Sequence, residues 1–423
     1  MKVLVVGNGG REHAIAWKLL QSPRVEQVFC IPGNGGTASL PSCRNIYLQV
    51  NDFEGIARVA AVQGVGLVVV GPEAPLAAGI ADYLDYRNIP VFGPTQAGAN
   101  IESSKSWAKA LMQKAGIPTA HAVEFTELAS AIEYLNHQPM PIVVKADGLA
   151  AGKGVVVSQN LAEATTALES LFQSGFHKVL VEQYIPGQEL SVLALTDGEA
   201  VRLLLPACDH KRIGEDDTGE NTGGMGVYAP APWVTDDLMN RIERDVFRPA
   251  LASLQSMGIT YRGVLYAGLM ITGAGDPMVL EFNCRFGDPE TQAILPLLET
   301  PLIDLLLACA EGRLAAQGPI AWQPGACVCV VAAAQGYPGP HRRGDVITGV
   351  AEAESLGVQV FQAGTTLQQQ QLVTEGGRVL SVSAVGDDLT MAIERAYAAL
   401  EKIHFDGIYY RKDIGKRAIV PNH

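Results

Sequence analysis

Short apolar runs alternate with helical patterns over the first hundred residues. The runs are rich in β-branched residues, each is followed by glycine or proline, and they cover residues 3–6, 28–31, 67–70 and 90–92. Helical patterns, such as residues 12–20 and 53–61, lie between them. Because strands that alternate with helices are typical of βαβ units, the pattern predicts a parallel sheet. Ligands of such sheets bind beyond the carboxyl ends of the strands, where these glycines lie.

From about residue 104 the pattern changes to longer and more varied elements. Ser104 opens an amphipathic stretch that ends near Gly116, which predicts a helix. Residues 142–157 are predicted to form a strand, a glycine-rich loop and a second strand, and residues 179–184 form a further strand. More strands and helices follow after about residue 328. The sequence therefore predicts an α/β and α+β chain with several domains.

Composition limits the classes of protein that fit. The chain has 423 residues, of which 48% are hydrophobic, so we expect two to four domains. A net charge of −13 argues against nucleic-acid and anionic-membrane partners. The seven cysteines form no Cys-x-x-Cys pair, and Cys327 and Cys329 alternate in an apolar run as core residues do. Since the sequence shows no signal-like segment or long apolar span, we predict a cytoplasmic protein without a membrane partner.

The glycine-rich turn at residues 7–12 allows three interpretations. Glycines let backbone N–H groups approach a phosphate at a helix N-terminus, so a dinucleotide or a smaller phosphate group could bind here. Glu12 stands where a dinucleotide motif has its third glycine, and the second strand ends at Pro32 without an acid for a ribose hydroxyl. A sugar-phosphate site and a purely structural turn therefore fit better than a dinucleotide site.

Glu281 and Asn283 are the candidate metal ligands. They lie two residues apart on an extended segment, so their side chains point to one face and bring two oxygen ligands together. Mg²⁺ binds through one or two protein oxygens and keeps positions for phosphate and water. The alternative is a solvent-facing strand edge that binds no metal.

Lys145 is the candidate phosphate ligand on a buried strand. It ends an apolar run, and a lysine in such a position needs an anionic partner. The glycine-rich loop at residues 148–154 contains Lys153, which is consistent with a mobile hairpin that closes over phosphates. An ordinary flexible hairpin with a solvated lysine is the alternative.

Two further segments carry clustered polar groups. Glu182 and Glu189 flank a turn that could contact a base and a ribose, although surface carboxylates are the simpler interpretation. Residues 209–226 are too long, polar and glycine-rich for a helix or a core strand, and we expect an ordered substrate loop. His210 in this loop has no evident acid–base partner.

These motifs together resemble a known family. The order of Lys105, Lys145 with its glycine loop, Glu182 to Glu189, and then Glu281 with Asn283 is similar to the ATP-grasp fold, in which ATP lies between two α+β subdomains. Six sequence blocks resemble, more closely, the phosphoribosylamine–glycine ligase family of purine biosynthesis. The blocks are residues 7–13, 71–76, 145–154, 209–212, 221–226 and 285–292. The match runs from residue 1 to about residue 415.

The resemblance implies a reaction and its ligands. The carboxylate of glycine attacks the γ-phosphate of ATP, and the amine of 5-phosphoribosylamine then displaces phosphate from glycyl phosphate. The implied partners are ATP, glycine and 5-phosphoribosylamine, with Mg²⁺ or Mn²⁺ as the metal. We expect a monomer or a weak homo-oligomer.

The resemblance also assigns roles to residues. Those implied to bind ATP are Lys105, Lys145, Gly148, Gly152, Lys153, Gly154, Glu182, Ile185 and Glu189. Those implied to bind the other substrates are Asn8, Gly9, Gly10, Arg11, Pro72, Glu73, Asp209, Lys211, Arg212, Arg285 and Gly287. Those implied to act in catalysis are Lys145, Asp209 and Arg285, and those implied to bind the metal are Glu281 and Asn283. The preceding strand, residues 263–270, offers no carboxylate for a second metal position.

Under this resemblance the chain divides into four parts. They are an N-terminal βαβ substrate-binding domain at residues 1–103, an ATP-grasp core at 104–122 and 190–327, a mobile lid subdomain at 123–189, and a small C-terminal α+β domain at 328–423. Three rival functions stay open: another ATP-grasp enzyme of purine metabolism, a dehydrogenase that uses the N-terminal βαβ unit, and a non-catalytic nucleotide sensor. Glu12 opposes the dehydrogenase, and the set of metal and phosphate residues opposes the sensor.

Overall fold

A computed structural model describes residues 1–149 and 154–419 of the chain. These residues form four sheets of four or five strands and two hairpins. No helix among them has both the length and the apolar character needed to cross a membrane. The seven cysteines are free thiols, and Cys327 and Cys329 are fully buried, as predicted for core residues.

The first part of the chain alternates strands with helices. Its strands are β1 (Lys2–Gly7), β2 (Gln27–Pro32), β3 (Cys43–Asn45), β4 (Val65–Val70) and β5 (Val91–Phe92). Its helices are α1 (Gly10–Leu19), α2 (Gly35–Ser39), α3 (Phe53–Gln63), α4 (Glu73–Ala77), α5 (Ile80–Asp85) and α6 (Gln96–Ser103). The strands pair in parallel in the order β3-β2-β1-β4-β5, which confirms the predicted parallel sheet. The carboxyl ends of β1 and β4 lie side by side.

A single helix leads from this sheet into the next. It is α7 (Lys105–Ala115), as predicted. Ser104 caps its first turn by accepting a hydrogen bond from the Trp107 backbone N–H at 3.2 Å. Gly116 ends it with a φ of 67°, a left-handed conformation that glycine adopts without strain.

The second sheet, called the lid sheet below, is small and antiparallel. Its elements are β6 (Ala122–Phe125), α8 (Leu128–Leu135), β7 (Ile142–Ala146), β8 (Val155–Ser158), α9 (Leu161–Gln173) and β9 (Val179–Gln183). The strands pair in the order β6-β9-β7-β8. The two helices pack on the sheet through a separate apolar cluster, so this part of the chain has its own core.

The next part of the chain supplies all four strands of the third sheet and four further strands. The strands of this part are β10 (Gln188–Thr196), β11 (Val201–Leu203), β12 (Cys208–Asp209), β13 (Arg212–Gly214), β14 (Thr218–Asn221), β15 (Gly226–Ala229), β16 (Gly263–Ile271) and β17 (Pro277–Asn283). Its helices are α10 (Asp236–Ile242), α11 (Arg248–Ser256), α12 (Glu290–Leu297) and α13 (Leu302–Ala310), with a π-helical turn at Glu243–Phe247 between α10 and α11. The third sheet is antiparallel in the order β11-β10-β16-β17.

The fourth sheet joins the end of the chain to an earlier segment. The remaining elements are β18 (Ala326–Ala333), α14 (Val350–Glu354), β19 (Gln359–Gln362), β20 (Thr365–Gln368), β21 (Gln371–Thr374), β22 (Arg378–Gly386), α15 (Leu389–Leu400) and α16 (Lys416–Ile419). The strand order is β12-β15-β18-β22-β19, so two strands come from before residue 230. The predicted domain boundaries stay a prediction.

The segment at residues 209–226, predicted as an ordered loop, contains the β13–β14 hairpin. The end of the chain holds this hairpin in place: the fully buried Arg411 donates to Asp217 Oδ1 at 2.9 Å, and the Tyr409 hydroxyl donates to the Ile213 carbonyl at 2.8 Å. On the other side, Asn221 Nδ2 donates to the Val155 carbonyl of the lid sheet at 3.1 Å. The hairpin therefore bridges the lid sheet and the end of the chain.

Candidate active site

A cleft of about 1370 Å³ lies between the four sheets. The predicted site residues that line it are Arg11, Pro72, Glu73, Lys105, Lys145, Gly148, Gly154, Glu182, Ile185, Glu189, Asp209, Lys211, Arg212, Glu281, Asn283 and Arg285. The predicted residues that are described but do not line it are Asn8, Gly9, Gly10 and Gly287. Gly152 and Lys153 lie outside the described residues. Most of the predicted residues are therefore brought together at one place.

Glu12 fills the space beneath the glycine-rich turn. The Gly9 backbone N–H donates to Glu12 Oε2 at 2.6 Å, and a Cβ on Gly7 or Gly71 would lie 2.5 Å or 2.0 Å from the Glu12 side chain. The Glu12 carboxylate thus lies directly against the turn, and its negative charge opposes the binding of a dinucleotide phosphate there. Arg11 reaches the cleft instead and donates to the Phe286 carbonyl at 3.0 Å.

One wall of the cleft carries a buried group of two lysines and a glutamate, called the lysine–glutamate triad below. Glu182 pairs with Lys145 through Oε1 at 3.0 Å and with Lys109 through Oε2 at 3.1 Å. Only 2% of Glu182 is exposed, so the surface interpretation of this carboxylate is wrong. Lys145 also donates to the Leu280 carbonyl at 3.0 Å, which ties the lid sheet to β17. Glu182 is thus the anionic partner that the sequence predicted for Lys145.

Lys109 also lines the cleft, although no motif in the sequence predicted a role for it. It lies one turn after Lys105 on α7, so both side chains project from the same face of the helix. Lys105 Nζ donates to the Gly148 carbonyl at 2.9 Å. Burial lowers the pKa of both lysines, against the opposing charges of Glu281 near Lys105 and Glu182 near Lys109. The four-residue spacing between Lys105 and Lys109 is the feature of the sequence that could have indicated a role for Lys109.

Glu281 and Asn283 face the cleft from β17. Asn283 is 7% exposed and Glu281 is half-buried, so the solvent-facing strand edge is the wrong alternative. Burial raises the pKa of Glu281, but Lys211, Lys145 and Lys105 together lower it below its usual value. The carboxylate therefore stays charged.

One carboxylate and one amide oxygen suit a cation that takes its other ligands from phosphate and water. No group of three His, Cys, Asp or Glu residues with metal-binding geometry occurs in the described ranges. Gly268 lies opposite Glu281 on β16, where a Cβ would be 3.3 Å from the glutamate side chain. The donor set thus fits a divalent cation that takes most of its ligands from outside the protein.

Glu189 and Lys211 form the mouth of the cleft. Lys211 Nζ lies 3.3 Å from Glu189 Oε2, and 48% of the Glu189 side chain is exposed. The carboxylate of Glu189 is the main reason that the pKa of Lys211 is well above its usual value. Arg212 donates to the Gly219 carbonyl at 2.7 Å, so its guanidinium is held within the hairpin.

Arg285 pairs with two carboxylates of the N-terminal part of the chain. Its Nη2 lies 2.9 Å from Glu102 Oε1 and its Nε lies 3.3 Å from Glu73 Oε2. Nη2 also donates to Asn283 Oδ1 at 3.1 Å. Among the described residues, neither Asp288 nor Glu290, the carboxylates that closely follow Arg285 in the sequence, forms a salt bridge with it. Glu102 is a further residue that the sequence did not reveal, because its helix α6 is far from Arg285 in the sequence.

The fourth sheet also contributes to the cleft. Arg378, the first residue of β22, donates to the Gly223 carbonyl at 2.6 Å and to the Asp288 carbonyl at 2.9 Å. The Tyr337 hydroxyl accepts a hydrogen bond from the Gly223 N–H at 3.1 Å. The sequence assigned no site residue beyond residue 287. A charged residue at the start of an apolar strand was the available signal for Arg378.

Family models match the chain over three ranges. They describe phosphoribosylglycinamide synthetase: its N domain matches residues 1–102, its ATP-grasp (A) domain residues 103–291 and its C domain residues 327–417. The chain belongs to the phosphoribosylglycinamide synthetase family. This membership confirms the resemblance and the predicted multidomain α/β and α+β fold, and it places the chain among the ATP-grasp ligases of purine biosynthesis.

Relatives of this synthetase family match the whole chain. A phosphoribosylamine–glycine ligase from Nostoc sp. is 62% identical over 422 residues, 99% of each chain, and one from Synechocystis sp. is 55% identical over 99% of this chain and 100% of its own. The crystal structure of phosphoribosylamine–glycine ligase from Thermotoga maritima has a TM-score of 0.84 and 34% identity, and covers 98% of this chain and 100% of its own. Members of this family therefore share both length and fold with the chain.

Proposed function

We propose that this chain joins glycine to 5-phosphoribosylamine at the expense of ATP, giving glycinamide ribonucleotide, ADP and phosphate. The family membership supports the reaction, since relatives that match along the whole chain are named for it. The observation that carries the proposal is the convergence of three kinds of group in one cleft: lysines for phosphate, the Glu281 and Asn283 pair for a metal, and Arg285 for a carboxylate. Phosphoryl transfer depends on such positioning and charge neutralisation.

ATP is proposed to lie between the lid sheet and the third sheet. Lys105 and Lys145 would contact its phosphates, Glu182 and Ile185 would lie near the adenine, and Glu189 would accept the ribose hydroxyls. ATP-grasp enzymes generally need a divalent metal ion. Mg²⁺ or Mn²⁺ held by Glu281 and Asn283 would neutralise the charge of the phosphates. Closure of the cleft would protect glycyl phosphate from water.

The other substrates are proposed to lie on the opposite side of the metal pair. Arg285 would hold the carboxylate of glycine, in competition with its 3.3 Å contact to Glu73. Arg11, Asp209 and Arg212 would line the 5-phosphoribosylamine pocket. Arg378 adds a further cation from the fourth sheet, next to the Gly223 backbone. We further propose a cytoplasmic enzyme that is a monomer or a weak homo-oligomer and binds neither nucleic acid nor membranes.

Replacing Arg285 with lysine should weaken the use of glycine by about 10- to 100-fold, and the use of ATP much less. A planar guanidinium can hold a carboxylate through two hydrogen bonds, and losing one charged hydrogen bond costs about 1.5–3 kcal/mol. Steady-state kinetics with glycine and ATP varied separately would measure both effects. Arg241→Lys is the matched control, since Arg241 pairs with Asp276 at the surface. Normal glycine dependence with a lower melting temperature would leave Arg285 a purely structural role.

ADP release tests the proposed reaction directly. Release should require glycine, should not occur with other small carboxylic acids, and should be fastest when 5-phosphoribosylamine is generated in the assay. Release with a different acid would indicate another ATP-grasp enzyme of purine metabolism. Binding of ATP without any release would indicate a nucleotide sensor.

A further inference from the structure

Two carboxylates from different parts of the chain lie in the wall of the cleft. Asp209 ends β12 and Glu290 begins α12, and both side chains line the cleft. Gly224 shows how close these elements are: a Cβ there would lie 2.8 Å from Asp209 Oδ1 and 2.4 Å from Pro289 Cδ. Gly224 therefore lies against both Asp209 and Pro289, the residue that immediately precedes Glu290.

Glu290 is fixed in place and Asp209 has an unused oxygen. Glu290 is 2% exposed, and its Oε1 accepts hydrogen bonds from the Tyr266 hydroxyl at 2.7 Å and the Ser191 hydroxyl at 3.0 Å. Asp209 Oδ1 is buried and has no hydrogen-bond partner within the described residues. An unpaired acceptor of this kind is costly unless a ligand supplies a donor.

The charges around Asp209 make its carboxylate a better base. Burial and the charge of Glu290 raise the pKa of Asp209 well above its usual range, and Glu189 adds to the effect. Lys211 and Arg378 lower the pKa only in part. A general base works best when its pKa lies near the working pH, and a carboxyl group reaches that range through burial and a like-charged neighbour.

We propose that Asp209 is the general base for the second half of the reaction and that Glu290 is its positioning residue. This inference rests on the proposed function. The amine nitrogen of 5-phosphoribosylamine forms a bond to the carbonyl carbon of glycyl phosphate, and an amine proton passes to Asp209 Oδ1. The bond from that carbon to the phosphate oxygen breaks, and phosphate leaves with the electron pair. Asp209 then releases the proton to water.

The test separates the two half-reactions. Hydroxylamine can replace 5-phosphoribosylamine, because it is a strong nucleophile that needs little help from a base, and it traps glycyl phosphate as glycine hydroxamate. Asp209→Asn should lower kcat of the complete reaction by about 100-fold or more, the usual contribution of a general base. It should leave hydroxamate formation within a few-fold of the native rate. Asp276→Asn, at an exposed ion pair, is the control and should behave as the native protein does.

The pH dependence of kcat tests Glu290. Removing its charge lowers the pKa of Asp209, so Glu290→Gln should move the acid limb of the profile to lower pH and should reduce kcat less than Asp209→Asn does. In Asp209→Asn this acid limb should disappear.

Other outcomes overturn the inference in distinct ways. Equal losses in the complete and the hydroxylamine reactions would mean that Asp209 holds glycine or the fold rather than a proton. An unchanged complete reaction, or an acid limb that survives in Asp209→Asn, would remove it as the base. A native protein that releases no ADP with glycine in either assay would instead overturn the proposed function itself.

Discussion

Glu182→Gln should lower the free energy of unfolding by about 3–5 kcal/mol, because it leaves two buried lysines without their counter-charge. In the lysine–glutamate triad, Glu182 lies 3.0 Å from Lys145 and 3.1 Å from Lys109, and the side chains of all three residues are at most 7% exposed. Glutamine has the same shape as glutamate, so the loss reports the charge rather than a cavity. Urea denaturation at neutral pH measures it.

The loss of unfolding free energy in Glu182→Gln should become smaller as the pH rises. Burial already lowers the pKa of Lys109, and without the charge of Glu182 this pKa in the folded state falls further below its unfolded value. The unfolded state then binds more protons, so the stability of the variant increases with pH until Lys109 has lost its charge in both states. A destabilisation that stays constant between neutral and alkaline pH would contradict this explanation.

Glu124→Gln is the matched control for the triad. Glu124 lies on β6, beside β9, and pairs with the half-exposed Lys178 at 3.0 Å. Exposed ion pairs contribute about 0–1 kcal/mol, so this variant should unfold almost as the native protein does. Equal losses in the two variants would mean that burial of the triad is not the cause.

Lys145→Met should impair the use of ATP by about 10- to 100-fold, since one charge-assisted contact to phosphate contributes about 1.5–3 kcal/mol. The fold should stay intact, because Glu182 keeps its partner Lys109 and methionine fills the space of the lysine stem. Kinetics with varied ATP, together with a melting curve, measure the two effects. Lys114→Met, at an exposed position of the same helix, is the control. Unchanged ATP kinetics would contradict the phosphate role of Lys145.

Local patterns predicted the elements well because their causes are local. The apolar runs of β1 and β4 form strands in a parallel sheet, and Ser104 and Gly116 bound α7, as the sequence indicated. The spacing of Glu281 and Asn283 likewise placed both side chains on the cleft face of one strand. A period of two and a capping residue act within a few residues.

Long-range pairs could not be predicted in the same way. Glu182 neutralises Lys145 across 37 residues, and Arg378 reaches the Asp288 carbonyl across 90. Such pairs depend on how whole sheets pack, and a single sequence does not encode which distant carboxylate meets which cation. For the same reason the sequence did not reveal that the fold brings Glu73 and Glu102 to Arg285.

The fourth sheet makes the chain difficult to divide at its family-model boundaries. β12, which ends in Asp209, pairs with β15, and β15 pairs with β18 from beyond residue 325. A gene fragment that stopped before β18 would leave one edge of β15 without its neighbour, and an exposed strand edge invites pairing with other chains. Such a fragment would keep every proposed ATP contact. However, β15, which pairs with the strand that carries Asp209, would lose its other neighbour, β18. Two separately expressed halves could therefore complement each other only if β15 of one half pairs with β18 of the other.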